Sequence, residues 1–343
     1  MPIHTPPVPA PHRRAAQAPT PRRREVLALA AGTLAGLAGA GQAQTTFPSR
    51  PISLIVPYTA GGASDIGARL LAPEMARQLG QQVIVDNVAG AAGALGVQKA
   101  VRAAADGHTV LYGSLSEALL VPLLNPKAGY RVEDLLPVAF LGGSPAVLVV
   151  RPDFPAASVD EFIALAKRNP GRYSYGSPGI GTFQHVMGES FKGKAGVFMV
   201  HIPYRGGAQI LTDVIGGQID LGITSAVNAA GFVASGRLKA IGVTSARRLP
   251  TMPAAQAFGE STTLAGLELS TWAVLYAPAG TPAASAERLN AVARAALALP
   301  ATVEQLARLG VPPPAPMSPT QVHDFVRAEQ ARFAPVLARI KLD

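Results

Sequence analysis

The stretch VPYTAGGASD, Val56 to Asp65, follows the apolar run ISLIV and leads into a helical pattern. Two adjacent glycines leave the backbone bare and free to adopt φ angles that other residues avoid. A bare backbone at a helix start is either a tight strand-to-helix connection or a seat for an anion on free N–H groups. Taken alone, the stretch reads as a tight turn. The organisation of the whole chain moves the reading toward the anion.

Downstream of this turn, Ile66, Leu70, Leu71, Met75 and Leu79 space an amphipathic helix that Gly80 ends. QVIVDN, HTVLYGS and the apolar AVLVVRP (Ala146 to Pro152) read as further strands, with helical stretches between them. After DEFIALAKRNPG come YGSPGIGTFQH, VFMVHIPYRGG, QIDLGI and LKAIGVTS, then LSTWAVLYAPAG (Leu269 to Gly280) as another long strand and a helical C-terminus. Short βαβα units of this kind specify a mostly parallel sheet with helices on both faces. The two long apolar strands bracket a smaller α/β portion, an arrangement that predicts two lobes around a cleft. Ligands of α/β sheets sit in such a crevice, at the carboxyl ends of the strands.

A chain of 343 residues with 48% hydrophobic and 15% charged residues is globular and long enough for more than one core. The formal charge of +9 comes partly from Arg13, Arg14, Arg22, Arg23 and Arg24, set against Glu25 alone in residues 1–43. Without that segment, 25 bases face 20 acids, scattered and not interleaved with aromatics, so nucleic acid is not an expected partner. The absence of cysteine excludes disulfides, thiolate catalysis, Cys-ligated metals and a lipidated-cysteine membrane anchor.

The N-terminal segment runs from Arg22–Arg24 through an apolar stretch (Val26 to Ala40) to Gly41-Gln42-Ala43, the layout of a signal peptide cleaved after Ala43. Arg23-Arg24 ahead of a weak apolar core resembles a twin-arginine signal, although Val26 stands where a bulkier residue is commoner, so Sec and twin-arginine export both stay open. The leading PPVPAP section is long for such a signal and fits a start placed too early. The expectation is a mature protein outside the cytoplasm.

YGSPGIGTFQH, Tyr175 to His185, repeats the opening device, with Ser177, Gly179, Gly181 and Thr182 free of bulk. Two facing loops, each with several N–H donors and a helix dipole, would form an anion site that needs no lysine. Catalytic patterns do not assemble: G-x-S-x-G, HExxH and the Walker loop are absent, and His108, His185, His201 and His323 lack metal-ligand spacing. No catalytic residue, metal or cofactor is therefore expected. GAAGALG (Gly90 to Gly96) has the wrong spacing for a dinucleotide loop and reads as an Ala-rich helix entry. Several residues keep two roles. Asp65 either caps the helix or meets the ligand, with Ser64 as the other cap. His185 reaches the ligand or makes a structural bond, Arg205 steers acids or is a solvated arginine, and Tyr58 walls the site or packs on the loop. Asp220 is read as a tie between strand and loop.

In order along the chain, RPISLIVPYTAGGASD, DGHTVLYGS, YGSPGIGTFQH, HIPYRGG, LTDVIGGQIDLGI and LYAPAGTP resemble the tripartite tricarboxylate transporter receptors, the Bug-type solute-binding proteins, from about Ser49 to the C-terminus. The resemblance implies a type II periplasmic-binding-protein fold of two α/β lobes, a ligand cleft and a two-strand hinge. It places a signal peptide at 1–43, one lobe at 44–147 and 270–343, and the other at 148–269. It also implies two pincer loops on a ligand carboxylate, Tyr58, Thr59, Ala60, Gly61, Gly62, Ser64 and Asp65 in one and Ser177, Gly179, Gly181, Thr182 and His185 in the other. Ser114, Tyr204 and Thr224 complete the expected ligand-binding set. The first loop departs from the family's F-P-P-G-G, which backbone recognition tolerates. After QIDLGI the segment Thr224-Ser225-Ala226-Val227-Asn228 departs from an Asn or Asp near a proline, where the far end of the ligand would be read. The expected protein is a monomeric periplasmic receptor without membrane anchor, closing on a small organic carboxylate and passing it to permease subunits. The alternatives are a ligand sensor for a signalling partner and a hydrolase built from Ser114, Ser177 and His185.

Overall fold

The computed structural model describes residues 47–338, with Met1 and Ile3, so the expected signal peptide otherwise lies outside the described residues. Ten strands form one continuous, mixed sheet. The first half holds β1 (Ile52–Val56), β2 (Val83–Asn87) and β3 (Thr109–Ser114), with β1 parallel to both neighbours. β4 (Leu135–Val150) is the longest strand, and its two ends belong to different halves. Leu135–Pro145 pairs antiparallel with a late strand, whereas Ala146–Val150 pairs with the second half. That second half contains β5 (Ser174–Ser177), β6 (Val200–Pro203), β7 (Leu221–Ser225), β8 (Lys239–Val243) and β9 (Gln256–Ala257). The late strand, β10 (Ser270–Pro278), returns to the first half between β3 and β4. The spatial order is β2-β1-β3-β10-β4-β7-β5-β6, with β8 on β4 and β9 on β8.

Ten helices cover the sheet among the described residues: α1 (Ala63–Leu79), α2 (Ala94–Val101), α3 (Val121–Leu124), α4 (Val159–Arg168), α5 (Phe183–Ala195), α6 (Gly207–Ile215), α7 (Ala226–Ala234), α8 (Ala283–Ala298), α9 (Pro300–Arg308) and α10 (Pro319–Leu337). The alternation of β1 sends Ile52, Leu54 and Val56 into one core with Leu71 and Met75 of α1 and Leu289 and Val292 of α8. Ile55 points the other way, into a cluster that runs through both halves. A third core packs Val147 and Val149 of β4 against Ile210, Leu211 and Val214 of α6.

The halves are the two lobes of a type II binding-protein fold, and Thr244 ties the strands that join them. Its backbone N–H donates to the Ala146 carbonyl at 2.9 Å, and its buried hydroxyl accepts from Ala146 N at 2.9 Å and donates to the Leu269 carbonyl at 2.7 Å. The C-terminal helix α10 spans the junction. Phe333 meets Phe183 of the second lobe, while Phe325 packs on Phe140 and Trp272. Gly96 has a packing reason: a Cβ there would lie 2.7 Å from the Pro57 Cα, so α2 can press on the loop after β1 only without a side chain.

Candidate functional site

The loop after β1 delivers the backbone to the cleft. Gly61 sits at φ +79°, where a Cβ is strained, and its N–H donates to Asp65 Oδ2 at 2.9 Å. Asp65 is buried and also accepts from Arg69 Nε at 3.0 Å and Asn87 Nδ2 at 3.0 Å. Burial alone would raise its pKa, but these donors outweigh burial and hold the carboxyl below its ordinary range. Asp65 therefore folds back to brace the loop and does not cap α1, the first role expected of it. Gly62 caps α1 without a side-chain bond, and the amides of Ala63, Ser64 and Asp65 find no acceptor among the described residues.

Behind this loop lies a buried polar cluster that the sequence reading missed. Glu117 belongs to a π-helical turn, Ser116–Leu120, and is fully buried. It accepts from the Ser114 N–H, from Ser114 Oγ at 2.6 Å and from the Tyr58 hydroxyl at 2.8 Å. Burial pushes its pKa up even against these donors. Tyr58 is thus held in place through Glu117.

The second glycine-rich loop is largely self-satisfied. Ser177 Oγ accepts from Gly179 N at 3.3 Å and lies 2.6 Å from His201 Nε2. Gly181 N donates to His185 Nδ1 at 3.1 Å, and the Thr182 side chain caps α5. His185 stacks on His201 at 4.0 Å. Burial lowers the pKa of both, that of His201 to about 4 with help from the neighbouring His185. His185 therefore plays its structural role here. The Phe183 N–H, first in α5, crosses the cleft to Ser116 Oγ at 2.9 Å.

Free donors in the second lobe instead come from α6 and α7. Gly206 caps α6 with no side-chain bond, and the amides of Gly207, Ala208 and Gln209 find no acceptor among the described residues. Ser225 caps α7 by accepting from Asn228 N at 3.3 Å. Asn228 Nδ2 donates to Thr224 Oγ1 at 3.0 Å, while Asn228 Oδ1 and Thr59 Oγ1 are buried without a partner.

A cavity of about 70 Å³ lies between these elements, lined on one side by Tyr58, Gly62, Ala63, Ser64, Ser114 and Ser116, and on the other by Pro178, Gln184, Gly207, Ser225 and Asn228, with Thr271 at the strand junction. Four helix N-termini, those of α1, α5, α6 and α7, meet there, and no Lys, Arg or His lines it. Such an arrangement can hold an anion by amides and helix dipoles, without a cationic side chain.

Of the residues read from the sequence, Tyr58, Gly62, Ser64 and Ser114 come together on this cavity. Thr59, Ala60, Gly61 and Asp65 shape the loop behind them, with Thr59 against Gly206. Ser177, Thr182, His185 and Thr224 are buried around it rather than in its lining, and Gly179, Gly181 and Tyr204 line an outer pocket with Ala91 and Ala92. Tyr204 donates to Asp213 at 2.7 Å, Arg205 is exposed, and Asp220 accepts from Ser174 N at 2.9 Å, tying β7 to β5. Ser116, Gln184, Gly207, Ser225, Asn228 and Thr271 were missed. The signal for Gly207 was present: PYRGG places a glycine pair at a helix start, the pattern of Gly61-Gly62.

The family described as tripartite tricarboxylate transporter family receptor matches residues 67–342. The chain belongs to that family. Among solved structures, the receptor is similar to the periplasmic binding protein BugD, at 31% identity and TM-score 0.81 over 85% of this chain and 98% of BugD. It is similar also to MatC of Rhodopseudomonas palustris with bound malate, at 30% identity and TM-score 0.81 over 85% of this chain and all of MatC. R. palustris Rpa4515 with adipate gives 30% and 0.81 over 85% of this chain and 97% of that protein. These relatives bind solutes, and no helix among the described residues is long and apolar enough to cross a membrane.

Proposed function

We propose that this chain is a monomeric periplasmic receptor that closes its lobes on a small organic carboxylate and delivers it to the permease subunits of a tripartite tricarboxylate-type transporter. The observation that carries this reading is the set of uncapped N-termini on opposite sides of one cavity, α1 from the first lobe and α6 from the second. A carboxylate bonds both only when the cleft is shut, so ligand favours the closed state. The lobes are assigned to residues 44–147 with 270–343, and to 148–269.

Binding without turnover is the reading favoured over hydrolysis. The one serine whose hydroxyl pairs with a histidine among the described residues, Ser177, is fully buried, and that hydroxyl is occupied by Gly179 and His201. The test is a thermal-shift and calorimetric screen of small carboxylates against their amides. A bound acid at 100 times its dissociation constant adds about 2.7 kcal/mol of stability. Equal stabilisation by the amides would remove the carboxylate from the proposal.

A further inference from the structure

The carboxylate cavity adjoins a second one of about 90 Å³, with Ala63, Ser64, Ser114, Ser225 and Thr271 shared between them. Beyond that shared rim the walls change character: Leu141, Val227, Trp272, Leu306, Leu309 and Val311 form half of the remaining lining, with Tyr112 and Ser144 supplying hydroxyls. No Lys, Arg or His lines this cavity either. The N-terminal ends of α1 and α7 reach it at the shared rim, whereas α9 meets the far side by its carboxyl end, with Leu306 in its last turn and Leu309 at its C-cap. Its field there is negative, opposite to the field of the N-termini around the first cavity.

Resting on the carboxylate reading above, we propose that the receptor selects monocarboxylates with a short, uncharged apolar tail, the head group on the helix N-termini and the tail among Val227, Trp272, Leu306 and Val311. A second carboxylate would lie beyond the shared rim, among apolar side chains with no cation in the lining and beside the last turn of α9, a setting in which a buried charge is poorly tolerated. This separates the chain from relatives holding malate and adipate, both dicarboxylates. The size of the space sets the tail. An apolar cavity of about 150 Å³ accepts benzene, so 90 Å³ holds about four carbons. Each methylene buried there tightens binding about fourfold.

The test is calorimetry on the purified protein, freed of co-purified ligand, with acetate, butyrate, pentanoate, hexanoate, octanoate, adipate and hexanamide. Affinity rises about fourfold per methylene from acetate to pentanoate or hexanoate and stops rising by octanoate, and adipate binds at least 100-fold more weakly than hexanoate. Adipate binding as tightly as hexanoate overturns the tail assignment while leaving a carboxylate receptor standing. Hexanamide binding as tightly as hexanoate, or no acid binding, overturns the carboxylate reading and this inference with it. Two variants locate the tail. Val227→Phe keeps acetate and loses hexanoate, whereas Leu309→Arg, at a half-buried wall position, shifts the adipate-to-hexanoate ratio at least tenfold toward adipate. Unchanged preference in both, with wild-type urea midpoints, places the tail elsewhere and refutes the assignment.

Discussion

Replacing Gly207 by alanine tests whether the second lobe grips through α6. A Cβ at this position would stand 2.1 Å from Asn228 Nδ2 and 3.3 Å from Thr224 Oγ1, so the Asn228 side chain must leave its place. The hydrogen bond from Asn228 Nδ2 to Thr224 is lost, at about 0.5–1.5 kcal/mol. Alanine in place of glycine at a helix start returns up to about 1 kcal/mol. The fold should therefore stay within about 1 kcal/mol of wild type. Binding suffers more, because the methyl group stands over the amide that faces the ligand. Loss of one hydrogen bond to a charged group costs about 1.5–3 kcal/mol, which weakens affinity about 10- to 150-fold. Calorimetry with the tightest acid of the panel, beside urea unfolding of the empty protein, separates the two quantities. Affinity within threefold of wild type would refute the α6 grip. A stability loss above about 3 kcal/mol would show that Gly207 serves the core instead.

Three other outcomes follow from the same geometry. A Cβ on Gly179 would meet Ala92 of the opposite lobe at 3.0 Å, and the φ of +137° strains any side chain there, so Gly179→Ala should cost about 1–3 kcal/mol of stability and also oppose closure; small-angle scattering of the folded variant with saturating acid should show a smaller contraction than wild type. The pKa of His201, lowered to about 4 by burial and by His185, lies below its ordinary value of about 6.5, so the native state binds fewer protons than the unfolded chain. The resulting stability is present above pH 6.5 and is lost as pH falls toward 4; His201→Gln should flatten that part of the urea-midpoint profile, and an unchanged slope would count against it. Thr244→Val keeps the shape but leaves the Ala146 N–H and the Leu269 carbonyl unpaired, so chemical denaturation should report a loss of about 1–3 kcal/mol.

Local order was legible along the chain because hydrophobic period and glycine position report it directly. β1 ends at Val56, α1 runs to Leu79 with Gly80 as its left-handed cap, and the glycine pair at 61–62 opens a helix with free amides. The first half of β4 was hidden. Pro137 and the pair Gly142-Gly143 interrupt its apolar pattern, and shifts in its pairing with β10 accommodate them in the sheet. A strand expected to begin at Ala146 therefore begins at Leu135 and carries the chain from one lobe to the other.

The sequence by itself determined the two-lobed α/β fold and the use of bare backbone for an anion, since both follow from spacing within short segments. Which amides remain free was decided by tertiary structure. Gly181 and Phe183 carry N–H groups as promising on paper as that of Gly207, but His185 and Ser116 have already taken them. The apolar second cavity likewise joins Leu141, Val227, Trp272 and Leu306 from four distant segments. A hydrogen bond or a cavity wall depends on distances in space, and residues so far apart in the chain acquire those distances only when the lobes and α9 pack.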